Sequence, residues 1–378
     1  MKRLPVLPLI AVCALLSACS TTPDSTPTPS ATAPVASATA TSPPPPTAPA
    51  EPSPAWRRIA DIPTGRSKAA VAFSERSGVY VVGGLGGPTR VERYNPKTGL
   101  WERLPDLPIG VVEASAAAVE GLQNNSPQGV FVFGGYLADG SATARSFLFS
   151  YGATRWEEIA PMPAQRAAGA AVAIGSGVFI VGGSDGSGLV APTYNYDVHT
   201  QQWRTVAAIP TPRDHLAAVG DSKSRACAIG GRQSSPSLNN LATFECYDPM
   251  TDTWARMPDT PFASSGAGAV EYDGLLYVIG GDRVGGTSGE VDIFNTRTTA
   301  WSRGVDLPGA RSGLGVVAIP WSKDLDTTGK NVIFTPARLL VLAGAPAPGV
   351  SPISICEAMD LPWSKPLPPG AQIATPTP

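Results

Sequence analysis

Residues 78–108 read GVYVVGGLGGPTRVERYNPKTGLWERLPDLP, and this stretch contains each part of a unit that recurs along the chain. A short apolar run ends in Gly83-Gly84, where the missing Cβ atoms allow a bend and a close backbone approach. Tyr94 then leads into a turn, Trp101 follows seven residues later, and Pro108 stands seven residues after that. Short apolar runs bounded by turn residues are typical of strands that are buried on both faces.

The same unit returns at a regular spacing through the rest of the chain. Glycine doublets stand 48 to 51 residues apart at Gly83-Gly84, Gly134-Gly135, Gly182-Gly183, Gly230-Gly231 and Gly280-Gly281, and a degenerate sixth copy is Leu340–Gly344. Tryptophans recur at Trp56, Trp101, Trp156, Trp203, Trp254, Trp301 and Trp363. Fixed offsets that hold over six copies indicate six structural repeats rather than a compositional bias.

This pattern resembles the kelch repeat, and the resemblance covers residues 56–365. It implies an all-β fold, a six-bladed β-propeller with four-stranded blades around a central channel. The tryptophan strands outnumber the blades by one, so either Trp56–Ile59 or the segment at Trp363 must complete the last blade. Pro366 lies inside the second candidate and would remove a ladder hydrogen bond, so we expect Trp56–Ile59 to close blade six. That blade also carries an insertion, roughly Pro320 to Pro336.

The N-terminus has the features of an export signal. Lys2 and Arg3 precede an apolar run that ends at Leu16, which is shorter than the roughly 20 residues that span a bilayer. Leu16-Ser17-Ala18-Cys19 resembles the lipobox of bacterial lipoproteins, and this resemblance implies a signal peptide over residues 1–18 and a lipid anchor on Cys19. An ordinary secretory signal cut after Ala18 is the alternative. We therefore expect an extracytoplasmic, membrane-anchored lipoprotein.

Residues 19–55 form a linker of Pro, Thr, Ser and Ala, and the tail 366–378 is similar in composition. Such segments lack the bulky apolar side chains that could offset their ordering entropy, so we expect both to be loose. The formal net charge is −2, and no basic run follows the signal. These charges exclude a typical nucleic-acid-binding protein, and we expect a monomer.

The cysteines that remain after export are Cys227, Cys246 and Cys356. Cys227 and Cys246 flank one hairpin of the repeat, so an oxidising compartment could join them as a disulfide. Buried free thiols that act as small apolar residues are the alternative.

Candidate ligand-binding residues stand at repeated positions. Three residues after the repeating proline, four of the six blades carry an arginine, namely Arg66, Arg166, Arg213 and Arg311. In the kelch arrangement this position begins the innermost strand, so the guanidinium groups could ring one mouth of the channel and bind carboxylate or phosphate. The loops after the glycine doublets open at the same mouth and supply Asp139, Asp185, Arg232, Asp282 and Arg283. The alternative is that the arginines stabilise the blades.

His215 follows Arg213 on the same strand face and could act as a general acid or base, or as a structural hydrogen-bonding residue. Copper radical oxidases share the kelch ring, but their site needs two histidines, and only His215 can reach this mouth. No Cys/His cluster has zinc spacing, and no nucleotide-binding motif is present, so we expect neither a metal nor another cofactor. A faint calcium-loop resemblance at Asp324–Gly329 lacks the distal acid and fits a solvated turn.

The expected function is a surface-tethered binding module that recognises a carbohydrate, an acidic ligand or a protein partner at the propeller mouth. A sugar-modifying enzyme is the alternative, since the bacterial sialic-acid mutarotases resemble this chain in size, export and six kelch repeats. Their substrate is a carboxylated sugar, which arginines would suit.

Overall fold

Six four-stranded antiparallel sheets account for most of the residues that the structure describes. The computed structural model describes residues 54–122, 126–233, 239–325, 332–362, 367–368 and 371–374, and they fall within one compact unit, Pro46–Pro378. The expected signal peptide, Cys19, nearly all of the linker and the segment at Trp363 lie outside the described residues. Each sheet is one blade, and the innermost strands of successive blades contact one another in a closed circle. The prediction of a six-bladed propeller is confirmed.

Within each blade the strands follow one another from the channel outwards. The innermost strands are β2 (Ala70–Ser74), β6 (Ser115–Val119), β10 (Ala170–Ile174), β14 (Ala217–Gly220), β18 (Gly268–Tyr272) and β24 (Gly315–Ile319). The second strands are β3 (Gly78–Val82), β7 (Gly129–Phe133), β11 (Gly177–Val181), β15 (Ala226–Ile229), β19 (Leu275–Ile279) and β27 (Arg338–Leu342). The third strands are β4 (Val91–Asn95), β8 (Ser146–Ser150), β12 (Thr193–Asp197), β16 (Phe244–Asp248), β22 (Val291–Asn295) and β28 (Cys356–Asp360). The outermost strands are β5 (Leu100–Arg103), β9 (Glu157–Ile159), β13 (Gln202–Val206), β17 (Thr253–Arg256), β23 (Ala300–Arg303) and β1 (Trp56–Ile59).

The N-terminal strand completes the last blade, as the sequence predicts. β1 pairs antiparallel with β28, from Trp56 opposite Met359 to Ile59 opposite Cys356. Blade six is therefore built from both ends of the propeller, which joins its first and last strands in one sheet. Ile59 and Met359 are buried in the cores on either side of this blade, so the closure is apolar as well as hydrogen-bonded.

The propeller has two faces. We call the face where the innermost strands begin the mouth, and the face where they end the base. The glycine doublets return the chain to the mouth, while the Asn or Asp turns before the tryptophans lie at the base. Pro54, which precedes β1, lies beside the base residues Tyr272 and Leu275. The N-terminal end of the propeller therefore leaves from the base.

The repeated tryptophans join neighbouring blades. Each ring packs on the aromatic residue of its own hairpin in five blades, with centroids 5.0 to 5.5 Å apart. Each indole N–H also donates to a carbonyl of the preceding blade, at 2.7 to 3.0 Å: Trp56 to Val305, Trp101 to Ala60, Trp156 to Pro105, Trp203 to Ala160, Trp254 to Ala207 and Trp301 to Pro258. An indole N–H usually has a hydrogen-bond partner when the ring packs against other residues, and here the accepting carbonyl lies just after the outermost strand of the preceding blade.

Two smaller sheets are added to the ring. A hairpin of β20 (Asp282–Arg283) and β21 (Gly286–Thr287) lies at the mouth of blade five. The insertion of blade six forms β25 (Ser322–Leu325) and β26 (Val332–Thr335), and β29 (Gln372–Ile373) pairs parallel with β26. The expectation of a uniformly loose tail is therefore corrected. The exposed edge of β26 offers unpaired backbone groups, and residues 372–373 satisfy them. The calcium-like stretch lies mostly outside the described residues.

A disulfide joins Cys227 to Cys246, which is one of the two alternatives that the sequence left open. The two residues face each other directly across β15 and β16. Cys356 is a buried free thiol, and burial raises its pKa to about 11. Among the described residues, none belongs to a helix that is long and apolar enough to cross a membrane.

Candidate functional site

A closed circle of backbone hydrogen bonds surrounds the channel at the mouth. It is formed by the six residues that stand two positions after the arginine position of each repeat: Lys68, Glu113, Ala168, His215, Gly266 and Gly313. All six have left-handed backbone conformations, with φ between 50° and 65°. Each N–H donates to the carbonyl of the preceding member at 2.7 to 2.9 Å, and Lys68 donates to Gly313 to complete the circle. We call this arrangement the mouth ring.

Charged side chains fill one half of the mouth ring. Lys68 Nζ and His215 Nε2 both contact Glu113 Oε1, the histidine at 2.9 Å. His215 Nδ1 lies 2.9 Å from Asp214 Oδ1, and Arg232 Nε donates to the same oxygen at 3.0 Å. Three blades thus contribute to one network of alternating charges.

This network shifts the pKa values of its members. Burial by itself would lower the pKa of His215, but the carboxylates of Asp214 and Glu113 outweigh it and raise that pKa. Burial would raise the pKa of Glu113, yet His215 and Lys68 together lower it to about 2. The pKa of Asp214 is also lowered, because His215 and Arg232 outweigh its burial. His215 is therefore held in its charged form to a higher pH than an ordinary histidine.

The other half of the mouth ring opens into a cleft of about 480 Å³. Gly266 and Gly313 have no side chains to fill this space, and the loop 345–352 of blade six forms one wall. Leu85 and Val350 are 43% and 49% exposed beside it. Lys68, His215, Arg232 and Asp282 provide its polar lining. The mouth cleft therefore combines two cations, a histidine and a carboxylate with aliphatic and prolyl walls.

The structure brings together three of the residues that the sequence analysis selected, namely His215, Arg232 and Asp282. Asp185 and Asp139 instead cap their own loops. Asp185 Oδ1 accepts from Ser187 and Gly188, and Asp139 Oδ1 accepts from Ser141. Arg283 forms ion pairs with Glu290 and Asp292, and its guanidinium lies over the ring of Phe262.

The expected ring of arginines is not at the mouth. Arg66, Arg166, Arg213 and Arg311 are at most 2% exposed, so the prediction that they contact a ligand is corrected. Arg213 shows the reason: it donates to Glu245 at 2.6 Å and to the carbonyls of Thr211 and Ala228 at 2.7 and 3.0 Å. Buried carbonyls and a buried carboxylate need donors, and a side chain that turns into the blade supplies several at once.

The other three arginines are also turned into their blades. Arg66 and Arg311 pair with Glu92 and Glu357, while Arg166 lies 4.4 Å over the ring of Tyr194 and donates to two carbonyls. Burial lowers the pKa of all four arginines. The paired carboxylates partly offset this for Arg66, Arg213 and Arg311, and Tyr194 does so for Arg166. The alternative interpretation, in which these arginines stabilise the blades, fits this geometry.

Lys68, Glu113 and the loop 345–352 were not selected from the sequence, although they form much of the mouth. The sequence could have indicated Lys68 and Glu113, because both stand at the same repeat position as His215. The loop carries no repeated feature, so only its place in the fold brings it to the cleft.

Comparison with known families identifies the repeat. The model of the KLHDC2/KLHL20/DRC7 Kelch-repeats domain matches residues 69–264, just over half of the chain. The chain belongs to the kelch-repeat family. The Kelch motif also matches residues 263–308, so kelch similarity extends through blade five. The resemblance inferred from the repeat is confirmed.

Curated kelch relatives share this part of the chain at low identity. Kelch-like protein terF of Aspergillus terreus is 27% identical over 206 residues, which are 51% of this chain and 43% of that protein. Mouse Kelch-like protein 35 is 28% identical over 190 residues, 50% of this chain and 31% of that protein. Beta-scruin of Limulus polyphemus is 27% identical over 184 residues, 44% of this chain and 20% of that protein. The chain spans less than half the length of these kelch relatives.

Proposed function

We propose that this kelch propeller is a membrane-tethered, extracytoplasmic binding module that holds a peptide segment of a partner protein in its mouth cleft. The observation that carries the proposal is the composition of that cleft. A concave surface with apolar walls and a few convergent polar groups is the usual form of a binding site. The matched relatives include Kelch-like protein terF and Kelch-like protein 35, and kelch homologues of this kind suggest an interaction module.

The charges of the cleft favour an acidic peptide. Lys68 and Arg232 are cations at its surface, and Asp282 is the one acid among the described residues that line it. Glu113 is largely buried behind Lys68 and His215. Leu85, Val350 and the prolines at 348 and 352 offer contact to apolar side chains of the same segment. An acidic segment with one or two apolar residues therefore matches both the charge and the walls.

Two observations support the proposed location. The N-terminal residues 1–19 have the pattern of a lipoprotein signal, and the linker that follows leads to Pro54 at the base. The disulfide between Cys227 and Cys246 suits an oxidising compartment, since such bonds are rare in the cytosol. A tether at the base leaves the mouth free to meet a partner.

A sugar-modifying activity is the second candidate, and one observation favours it. Arg232 lies 3.0 Å from Asp214 and 3.2 Å from His215, so a guanidinium, a carboxylate and an imidazole meet at the cleft. This set could bind a carboxylated sugar and exchange a proton with it. The glycan hypothesis thus concerns the same cleft.

A thermal-shift panel tests the proposal. The protein is mixed with acidic peptides, matched peptides with Gln for Glu, sialic and uronic acids, and neutral glycans. We expect the acidic peptides to raise the melting temperature and the neutral peptides not to. The Lys68→Gln/Val350→Ser variant should lose this response, while Lys97→Gln, which changes an exposed lysine at the base, should keep it.

The outcomes separate the candidates. A response to acidic sugars alone rejects the peptide proposal and calls for an NMR assay of anomer exchange. A response that survives in Lys68→Gln/Val350→Ser places binding elsewhere and also rejects the proposal.

A further inference from the structure

The base of blade six carries an extension that the propeller does not need for closure. Blade six already has four strands, β24, β27, β28 and β1, and the sheet of β25, β26 and β29 lies outside them. Other blades join their two innermost strands more directly; blade three, for example, uses only the two residues between Ile174 and Gly177. The extension is therefore a separate structural addition at the base.

A second cleft, which we call the base cleft, lies between this extension and blade one. Its volume is about 530 Å³. Its apolar lining includes Phe73, Trp321 and the prolines at 96, 320 and 336. Trp321 is 45% exposed, and its ring is stacked on Phe334 at a centroid distance of 6.4 Å and an interplanar angle of 26°. Prolines and a stacked indole have little freedom to move, so the cleft is largely preformed.

The chain itself leads into this cleft. Gln372 and Ile373 pair parallel with Ile333 and Phe334 of β26. Ala374 N–H then donates to Phe334 O at 2.9 Å, and Ala374 lines the base cleft. The next residues, Thr375-Pro376-Thr377-Pro378, lie outside the described part of the chain. They follow directly after Ala374, which lines the cleft.

The chemistry of these four residues fits the cleft. Proline has no backbone N–H, so pairing with β26 cannot continue in the same way beyond Thr375. A Thr-Pro-Thr-Pro segment favours the polyproline II conformation, in which four residues span roughly 12 Å. Grooves lined by aromatic rings recognise such segments, because the prolyl rings pack against the aromatic faces at a low entropy cost.

We propose that the base cleft binds Thr375–Pro378 of the same chain, with the prolyl rings packed against Trp321. The segment covers the exposed indole and fastens the end of β29 to the extension. This inference does not depend on the proposed function of the mouth. The same four residues occur in the linker at Thr26–Pro29, which makes the linker the natural competitor for the cleft.

Fluorine NMR of the protein labelled with 5-fluorotryptophan tests the proposal. The Trp321 resonance is assigned by its loss in Trp321→Phe, and three chains are compared: the full chain, a chain ending at Ala374, and Pro376→Gly/Pro378→Gly. We expect the Trp321 resonance to move in both altered chains while the other resonances stay in place. β29 is retained in all three chains, so the extension itself is not removed.

A peptide titration completes the test. Adding the peptide Ala-Thr-Pro-Thr-Pro to the shortened chain should return the Trp321 resonance to its full-chain position, and Ala-Thr-Gly-Thr-Gly should not. Identical Trp321 resonances in the full and shortened chains overturn the proposal. The proposal also fails if shortening has no effect and deletion of residues 20–50 moves the resonance, since the linker is then the occupant.

Discussion

At the scale of single residues, one position organises each blade. The residue two before the third-strand aromatic, or before Met359 in blade six, contacts an arginine side chain in every blade. These residues are Glu92, Phe147, Tyr194, Glu245, Asp292 and Glu357. Blade five has Ser264 at the arginine position, and Arg283 reaches Asp292 from the neighbouring loop at 3.2 Å instead. Blade two has Val111 at that position, and Val111 and Phe147 belong to one apolar core. Apolar residues can replace a buried ion pair in this way with little loss of stability.

The contrast between blades three and four gives the first prediction. Arg213→Met leaves the buried Glu245 carboxylate without its cation, so we expect the free energy of unfolding to fall by about 3–5 kcal/mol. Arg166→Met removes contacts to two carbonyls and a tyrosine ring but leaves no buried carboxylate unpaired. The free energy of unfolding is therefore expected to fall by about 1–3 kcal/mol. Urea unfolding measures both. Adding Glu245→Gln to Arg213→Met should recover part of the loss, and equal costs for the two single variants would contradict this account.

His215 gives a prediction about pH. Its carboxylate neighbours raise its pKa in the folded protein above the value near 6.5 of an unfolded chain. The resulting stabilisation is fully present below about pH 6.5 and is lost as the pH rises through the folded pKa. We expect the free energy of unfolding to decline with pH above 6.5 in the native protein and to decline less in His215→Asn.

Asparagine suits this position because it tolerates left-handed backbone. His199→Asn, at the base, removes the chain's other histidine and is the matched control. Parallel pH profiles for the native protein and His215→Asn would show that the network does not stabilise the charged imidazole.

The arginines also show that a repeat pattern alone does not predict the direction of a side chain. A fixed offset shows that Arg66, Arg166, Arg213 and Arg311 are equivalent, but it does not show whether they point to the channel or into the blade. The carboxylates that decide this, Glu92, Glu245 and Glu357, stand at one repeat position of blades one, four and six. Blade three has Tyr194 there, so the pattern is weaker than that of the arginines. The mouth cleft could not be predicted from the repeat either. Loop 345–352 forms part of its wall, and the position of this loop follows only from the closed ring.

At the scale of elements, the strands follow closely from the sequence. The glycine doublets, the Asn or Asp turns and the tryptophans each mark a boundary that the structure retains, including the use of Trp56–Ile59 in blade six. β29 was not predicted, because two residues carry no periodicity. Its pairing depends on the free edge of β26, which is a property of the folded insertion.

Removal of β1 tests the closure of blade six. A chain that starts at Asp61 loses the burial of Ile59, the ion pair of Arg57 with Asp360 and the indole bond of Trp56 to Val305. We expect a loss of at least about 3 kcal/mol in the free energy of unfolding. Amides of Cys356–Asp360 should exchange faster with deuterium, since β28 becomes an edge strand.

A chain that starts at Pro54 keeps the whole of β1 and is the control. Unchanged exchange in β28 after removal of β1 would mean that another segment closes the blade.

At the scale of the whole molecule, two circles of hydrogen bonds hold the blades together. The mouth ring joins all six blades through backbone groups near the channel. The indole bonds join the same blades through side chains at the periphery. The indole circle includes Trp56 of β1, whereas the mouth ring closes between Gly313 and Lys68 without that strand.

The mouth-ring residues have left-handed backbone. Glycine-to-alanine and alanine-to-glycine substitutions at these positions should therefore change the free energy of unfolding in opposite directions. Gly266→Ala places a Cβ in left-handed backbone, with its nearest neighbour 3.5 Å away, so only the conformational cost of about 1–2 kcal/mol is expected. Ala168→Gly relieves the same strain, partly offset by the entropy of the unfolded chain, and should be neutral or stabilising by up to about 1 kcal/mol.

Calorimetry of the two variants measures these effects. Ala118→Gly, in the innermost strand β6, is the control and should be destabilising, as glycine normally is in a strand. A stabilising Gly266→Ala would contradict the assigned backbone.

The position of β1 has a mechanical consequence. Pro54 lies at the base, so a pull on the chain at this point, away from the mouth, is directed along β1 rather than across it. The hydrogen bonds of an antiparallel pair run perpendicular to the strands, so such a load shears all the rows between β1 and β28 together instead of opening them one at a time. A load applied between the mouth and the N-terminal end of the propeller would therefore strain the fold in the direction in which its closing strand resists most strongly.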